Sequence, residues 1–301
     1  MNIKLTVITV VKNLIKNNRR DFFIQCAHSV KNQTYKNIEH IIIDGDSSDG
    51  TLDLINDLGL RYISQKDCGV YEAMNTGIKM ASGEYIIFIN SDDFFCSSDS
   101  VEIAMKNIID AEVDFCLASC NIIDPIFANK NRVLRPNIYR IFNRMPASHQ
   151  AIFCKKSCFK KYGYFNIKYK ISADFDFLLR LFIGGATYIQ IKNILTTYRL
   201  GGLSDILKRR THREAASVIY DNFKKYIPDI TLENSNKILI RNFISLTMLK
   251  KLTRRRLRKE RLLFYLYHVK ERLKFHKRNL FLVRSFKNGL VIKIMGIKFN
   301  L

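Results

Sequence analysis

The chain has 301 residues, of which 47% are hydrophobic, and its 50 Lys and Arg against 27 Asp and Glu give a net charge of +23. That apolar content supports a sizeable core and excludes global disorder, and no stretch reaches the ~18–20 apolar residues of a membrane-spanning helix. The charge is uneven: residues 1–200 carry +5, whereas residues 201–301 hold 25 basic and 7 acidic side chains, which suggests two parts with different work. Seven cysteines, all before residue 160, are scattered. The four-residue spacing of Cys116/Cys120 and Cys154/Cys158 is wider than that of zinc-binding pairs, so buried free thiols in a reducing cytosol are expected. The first apolar run, broken by Thr6 and Thr9, has no small-residue cleavage site, and a cytoplasmic chain is expected.

In chain order, IKLTVITVVKN (3–13) is β-branched and reads as a first strand. Residues 17–33 follow as an amphipathic helix. IEHIIIDGDSSDGT (38–51) is a buried strand that breaks into a turn, and residues 51–59 form a short helix capped by Asp49 or Thr51 and ended by Gly59. A third strand (60–65), a helix (69–83) and a fourth strand (84–90) complete an alternation that points to a mostly parallel sheet covered by helices. Further strands are expected at 112–119 and 149–153 and within 186–204, with a helix at 172–185 between the last two. The irregular stretch 120–148 holds three of the four prolines, and such stretches are more often functional than idle.

Ligands of open α/β sheets gather at the carboxyl ends of the strands. Asn13, Asp44, Asp46 and the run Asn90-Ser91-Asp92-Asp93 all fall there. Adjacent carboxylates repel and suit a solvated turn. They also suit a divalent cation, which takes oxygen ligands together with substrate phosphates.

The segments TVITVVKN, IIIDGDSSDGT, KDCGVYEAMNTGIKMASGEYIIFINSDD and SADFDFLLRL carry a resemblance. Their order is that of family 2 glycosyltransferases with the GT-A fold, most like the bacterial enzymes that assemble capsule, O-antigen or colanic-acid polysaccharides. The likeness spans residues 3–204. It implies a Rossmann-like catalytic domain over 1–204, with a mostly parallel central sheet and helices on both faces, followed by a basic, mainly helical extension over 205–301. INSDD matches the family's metal-binding region, with Asn90 where many relatives have Asp. Asp92 and Asp93 are thereby implied as the residues for Mn2+ or Mg2+ and the donor diphosphate. Asp44, with Asp46 in the same turn, matches the acidic position that holds the nucleotide base, commonly uracil, and so implies a UDP-sugar. Thr9, Val10 and Asn13 match the strand end lining the nucleotide, and Asp67 and Asn75 match positions near the nucleotide and donor sugar. Asp174 matches the catalytic aspartate; Asp176 falls on a different helix face and, with His149 and Gln150, is assigned to the acceptor side. Arg180 reads as a salt-bridge partner for a helix carboxylate.

The implied reaction is inverting transfer of one sugar, with Asp174 taking the proton of an acceptor hydroxyl. The chain has no tryptophan, so the QxxRW signature of processive members is absent. The expected partners are a nucleotide-sugar and a glycan or lipid-linked acceptor, and the oligomeric state is left open.

In the tail, Leu262, Leu266, Val269, Leu273, His276 and Leu280 follow helical spacing inside a segment, 250–278, with 13 Lys/Arg and two Glu. A packed helix with a solvated basic face and peripheral attachment to the anionic cytoplasmic face of an inner membrane both fit. Nucleic acid is not expected, for want of any stacking or zinc-finger pattern. The rival to the enzyme is a basic membrane- or nucleic-acid-binding protein with a degenerate α/β domain. Residues 290–301 alternate enough for a short strand.

Overall fold

The computed structural model describes residues 3–66, 69–124, 131–241, 244–256, 258–276, 283–286, 289–294 and 297–300. The first half follows the alternation: β1 (Leu5–Val11), α1 (Arg20–Lys31), β2 (Ile38–Asp44), α2 (Thr51–Asp57), β3 (Arg61–Ser64), α3 (Val70–Met80) and β4 (Tyr85–Phe88). A short β5 (Phe94–Phe95), α4 (Ser100–Ala111), β6 (Phe115–Ile123), β7 (Arg132–Leu134), β8 (Ile152–Lys155), α5 (Lys156–Tyr162), α6 (Ala173–Gly184) and β9 (Tyr188–Arg199) follow.

These strands form one sheet in the order β3-β2-β1-β4-β8-β6-β9-β5, with β7 added on β6. The β3-β2-β1-β4 half is parallel, as is β6 with β9. β8 joins the halves, antiparallel to both β4 and β6. Period-2 alternation sends Ile8, Ile86 and Phe88 to one face, under α3 and α6, and Leu5, Val7, Tyr85 and Ile87 to the other, under α1 and α4. The helix on the first face sits close because residue 77 is glycine: a Cβ there would lie 2.7 Å from Ile8 Cγ2.

Some boundaries differ from the sequence reading. β6 runs on to Ile123, because Cys120 and Ile122 are buried, so the irregular stretch begins later. His149–Ala151 is a 3-10 turn ahead of β8 rather than part of the strand. Ser172 precedes α6 without a side-chain cap; Asp174 accepts from the Phe175 N–H instead.

Beyond residue 204 come α8 (Lys208–Lys224), α9 (Leu232–Arg241), α10 (Leu246–Leu252) and α11 (Arg258–His276), after a one-turn α7 (Leu203–Ile206). Phe223, Ile238, Leu249, Leu252 and Phe264 enter the same core cluster as Phe142, Leu181 and Phe182. Arg256 caps the end of α6, donating to Phe182 O at 2.7 Å and to Ala186 O at 2.7 Å. On α11, Phe264 and His268 face this core, whereas Leu262, Leu263 and Leu266 are 55%, 40% and 52% exposed. Leu280, the last residue of the tail stripe, lies outside the described residues. Three short strands, β10 (Val283–Phe286), β11 (Gly289–Ile294) and β12 (Ile297–Asn300), pair antiparallel in a sheet of their own.

Candidate active site

β4 ends in the tight turn Asn90–Asp93, closed by the Asp93 N–H donating to Asn90 O at 3.0 Å. The two carboxylates of this turn point in different directions. Asp93 is fully buried. Its Oδ1 accepts from the Arg199 N–H at 2.9 Å, and its Oδ2 from Gln150 Nε2 at 2.7 Å and Asn90 Nδ2 at 3.1 Å. Burial, with the Asp92 charge adding to it, pushes its carboxyl up to about 8. Asp92 instead lines a cavity of about 690 Å3, where Arg19 Nη1 meets its Oδ2 at 2.6 Å.

Arg199, the last residue of β9, ties the turn down. Its Nη1 donates to Asp92 O and its Nη2 to Gln25 Oε1 at 2.5 Å. The guanidinium also lies 4.4 Å from the Phe22 ring centre and 4.9 Å from that of Phe94.

The same cavity reaches Asp174, in the first turn of α6. Asp174 Oδ1 accepts from the Phe175 N–H at 2.8 Å and faces the Tyr71 hydroxyl at 3.0 Å; that hydroxyl also lies 2.6 Å from Ile171 O. Burial and the facing Asp174 carboxylate hold the Tyr71 phenol well above its usual value, so it is a donor here. Asp174 Oδ2 lies 3.7 Å from His149 Nδ1, too far for a hydrogen bond. The His149 ring stacks on Phe88 at 5.2 Å, and its buried Nε2 has no hydrogen-bond partner. Burial lowers His149 below the usual imidazole value, with Asp174 opposing, so the ring is neutral near pH 7.

Of the expected site residues, Val10, Asp92, His149, Gln150 and Asp174 share the wall of this cavity. Others stand behind it. Asp44 is fully buried and accepts from the Ser47 N–H (3.0 Å), Ser47 Oγ (2.5 Å) and Ser64 Oγ (2.7 Å). Thr9 Oγ1 pairs with His40 Nε2 at 3.0 Å. Asn13 and Asp46 both take positive φ, 48° and 58°, and Asn13 Oδ1 accepts from the Ser48 N–H at 3.1 Å. Asn75 clamps the backbone of Phe165 through both ends of its amide, at 2.9 and 3.0 Å. Asp176 is buried between Asn222 Nδ2 (2.7 Å) and Arg180 Nε (2.9 Å), the salt bridge expected for Arg180. Asp67 lies outside the described residues.

Arg19, Tyr71 and Arg199 were not anticipated. Tyr71 lies inside KDCGVYEAMNTG, and that place in the motif is the signal the sequence carries for it. Arg199 had no local signal, since its partner Asp92 is 107 residues away.

Residues 7–171 match the sequence pattern of Glycosyl transferase family 2. Among curated proteins, a PGL/p-HBAD biosynthesis glycosyltransferase of Mycobacterium bovis is 27% identical over 203 residues, 60% of this chain and 73% of that protein. An uncharacterized glycosyltransferase of Mycobacterium tuberculosis is 30% identical over 219 residues, 71% of this chain and 81% of that one. Among solved structures, S. aureus TarS in complex with UDP-GlcNAc superposes with a TM-score of 0.58 at 14% identity, covering 99% of both chains. The mannosyltransferase PcManGT from Pyrobaculum calidifontis, in complex with GDP-Man and Mn2+, gives 0.59 at 15% identity, covering 93% of this chain and 87% of that one. With the family pattern spanning more than half of its length, the chain belongs to glycosyl transferase family 2 and is a glycosyltransferase built on the GT-A fold.

Proposed function

We infer that this enzyme moves one sugar from a nucleotide-sugar, a UDP-sugar in our reading, to a hydroxyl of a glycan or lipid-linked acceptor in cell-surface polysaccharide assembly, with inversion at the anomeric carbon. The observation that carries this reading is that Asp92 and Asp174, one at the end of β4 and one at the start of α6, open into a single cavity of about 690 Å3. That volume is within the range of small-molecule sites.

The donor set suits a divalent ion that arrives with the diphosphate. Among the described residues no group of three or more His, Cys, Asp or Glu could cage a metal alone. Mg2+ and its like commonly take one or two carboxylates plus substrate phosphates. In this reading Asp92 holds the ion, and Asp93 holds Asp92 in place through Asn90, Gln150 and Arg199. When bound, Mn2+ or Mg2+ offsets the negative charge that grows on the leaving diphosphate. Asp174 takes the acceptor proton through Oδ2, which no described group hydrogen-bonds, while the Phe175 N–H fixes Oδ1 and the Tyr71 hydroxyl, shared with Ile171 O, faces it. Attack from the face opposite the leaving group inverts the centre without a covalent intermediate.

Thr9, Val10, Asn13, Asp44, Asp46, Asp67 and Asn75 keep the donor-side roles implied by the resemblance. Asp44 acts there by shaping the turn that carries Ser47, since all its described contacts are internal. Asp176 has a structural part, paired with Arg180.

The exposed Leu262, Leu263 and Leu266 on α11, in a strongly basic segment, support peripheral attachment to an anionic membrane surface. No helix among the described residues is long and apolar enough to cross a membrane.

A thermal-shift panel tests the donor assignment, because a ligand that binds only the folded state raises its apparent stability. UDP with Mn2+ should raise the melting temperature, and Asp92→Asn should remove the metal-dependent part. A response to GDP alone would overturn the uridine assignment; no response to any nucleoside diphosphate would overturn the donor site. Sedimentation with anionic against neutral liposomes tests the membrane contact, and indifference to both would remove it.

A further inference from the structure

The Asp174 end of the cavity is basic. Lys170 lies four residues before Asp174, and Lys208 and His212 lie one turn apart at the start of α8. α8 is held against this end by Glu214, whose Oε2 accepts from the Ile171 N–H at 2.8 Å and the Ser172 N–H at 3.2 Å. Arg144, in the segment that leads into His149, lines the same cavity. Lys170, Lys208 and His212 are exposed, and among the described residues no carboxylate pairs with them. Two of the acidic neighbours are committed elsewhere: Glu214 also binds Arg210 at 3.2 Å, and Asp205 accepts from the Tyr198 hydroxyl at 2.5 Å and the Gly201 N–H at 3.0 Å. Asp174 is the remaining carboxylate at this end, and its Oδ2 is kept for the acceptor hydroxyl.

Ammonium and guanidinium groups lining one cavity favour an anion among them, and a histidine ring adds an N–H donor. A neutral sugar needs no such wall, since hydrogen-bonding groups read its hydroxyls. A phosphoryl group does: it is compact, close to doubly charged, and offers three oxygens to ammonium and guanidinium donors. We propose that Lys170, Lys208, His212 and Arg144 form an acceptor subsite for a phosphoryl group carried close to the hydroxyl that is glycosylated. This rests on the reading in which the acceptor occupies the Asp174 end of the cavity.

The test is calorimetric titration of the full chain, saturated with UDP and Mn2+, at constant ionic strength. Glycerol 3-phosphate and farnesyl phosphate are the probes, with glycerol and farnesol as neutral controls. Both phosphates should bind and both controls should not. The double variant Lys208→Glu/His212→Glu should lose about tenfold or more in phosphate affinity, while its UDP affinity stays within about twofold. Equal affinity for the two phosphates points to a phosphate on a water-soluble acceptor; a marked preference for farnesyl phosphate points to a lipid-borne one. Binding of the neutral controls as tightly as the phosphates, no phosphate binding at all, or undiminished binding in the double variant would overturn the subsite. The same titration on Asp92→Asn without UDP separates the two readings. Phosphate binding that persists there and depends on Lys208 and His212 upholds the subsite even if the donor assignment fails.

Discussion

Asp92 and Asp93 are adjacent, yet one faces the cavity and the other is enclosed by three donors. Arg19, the ion-pair partner of Asp92 among the described residues, sits where it competes with any cation approaching the same oxygen. A partly exposed pair is worth ~0.2–1 kcal/mol, so Arg19→Gln should raise the affinity for Mn2+ without nucleotide by about 1.4- to fivefold. Electron paramagnetic resonance of free Mn2+ reads this directly; weaker Mn2+ binding would make Arg19 a helper rather than a competitor. Asp174→Asn keeps the shape of the site and removes the base, so transfer should fall by ~10²–10⁴-fold while UDP binding is retained. Turnover near that of the unaltered enzyme would place the base elsewhere. His40 gives a pH prediction. Burial lowers it to about 4, whereas in the unfolded chain it titrates near 6.5. Between these values the unfolded state binds the extra proton, so this stability contribution is complete above about pH 6.5 and is lost as pH falls towards 4. His40→Gln should therefore lose less stability than the unaltered chain between pH 7 and 5 in denaturant titrations, and an equal loss would refute the assignment. Of these residues, Asp92 and Asp174 were legible because each lies in a short motif of its own. Arg19, Tyr71 and Arg199 act across 73 to 107 residues, a distance no local pattern encodes.

In the parallel half β1, β2 and β4 were readable because each is a buried, mostly β-branched or aromatic run followed by Asn or Asp within two residues, whereas the half-exposed β3 was readable from the alternation around it. The order of strands in the other half was not, since periodicity says which residues face inward but not which edge a strand joins. β8 is four residues long, and nothing in its sequence marks it as the strand between β4 and β6. The helix α4 went unread although it buries Val101, Ala104, Met105 and Ile108 at helical spacing. Packing between elements makes its own prediction. α3 carries Tyr71 at its start and rests on β1 through Gly77, where an added Cβ would meet Ile8 Cγ2 at 2.7 Å. Gly77→Val should push α3 off the sheet, costing about 1–3 kcal/mol and moving Tyr71 relative to Asp174. Chemical denaturation and turnover should fall together in this variant. A stable but slow variant would mean that the helix shifted without losing its packing; an unchanged one would mean that Ile8 can give way.

For the molecule as a whole, the sequence suggested a catalytic part ending near residue 204 and a basic extension after it. The charge asymmetry is real, but the hydrophobic core crosses that boundary: Phe223 and Phe264 pack edge-on against Phe142 at 5.9 and 5.6 Å between ring centres. Charge reports what faces water, and so it could not show which apolar faces α8 to α11 cover. We expect a chain cut after residue 204 to be insoluble or to unfold without a cooperative transition, because it would bare Phe142, Phe182 and the end of α6 that Arg256 caps. A cut after residue 276 should leave one sharp transition by calorimetry. A soluble, cooperative 1–204 fragment would uphold the two-part division. The position of β8 also has a consequence in time. The chain emerges from the ribosome with β1 to β4 first, and the outer edge of β4 stays unpaired until Lys155 is made, 67 residues after Phe88. At ~5–20 residues per second that wait is roughly 3–13 s. During it an apolar strand edge stands open to any neighbouring nascent chain. Synthesis should therefore be most vulnerable to aggregation in this window, and slowing translation between β4 and β8 should lower the soluble yield more than the same pause placed after β9.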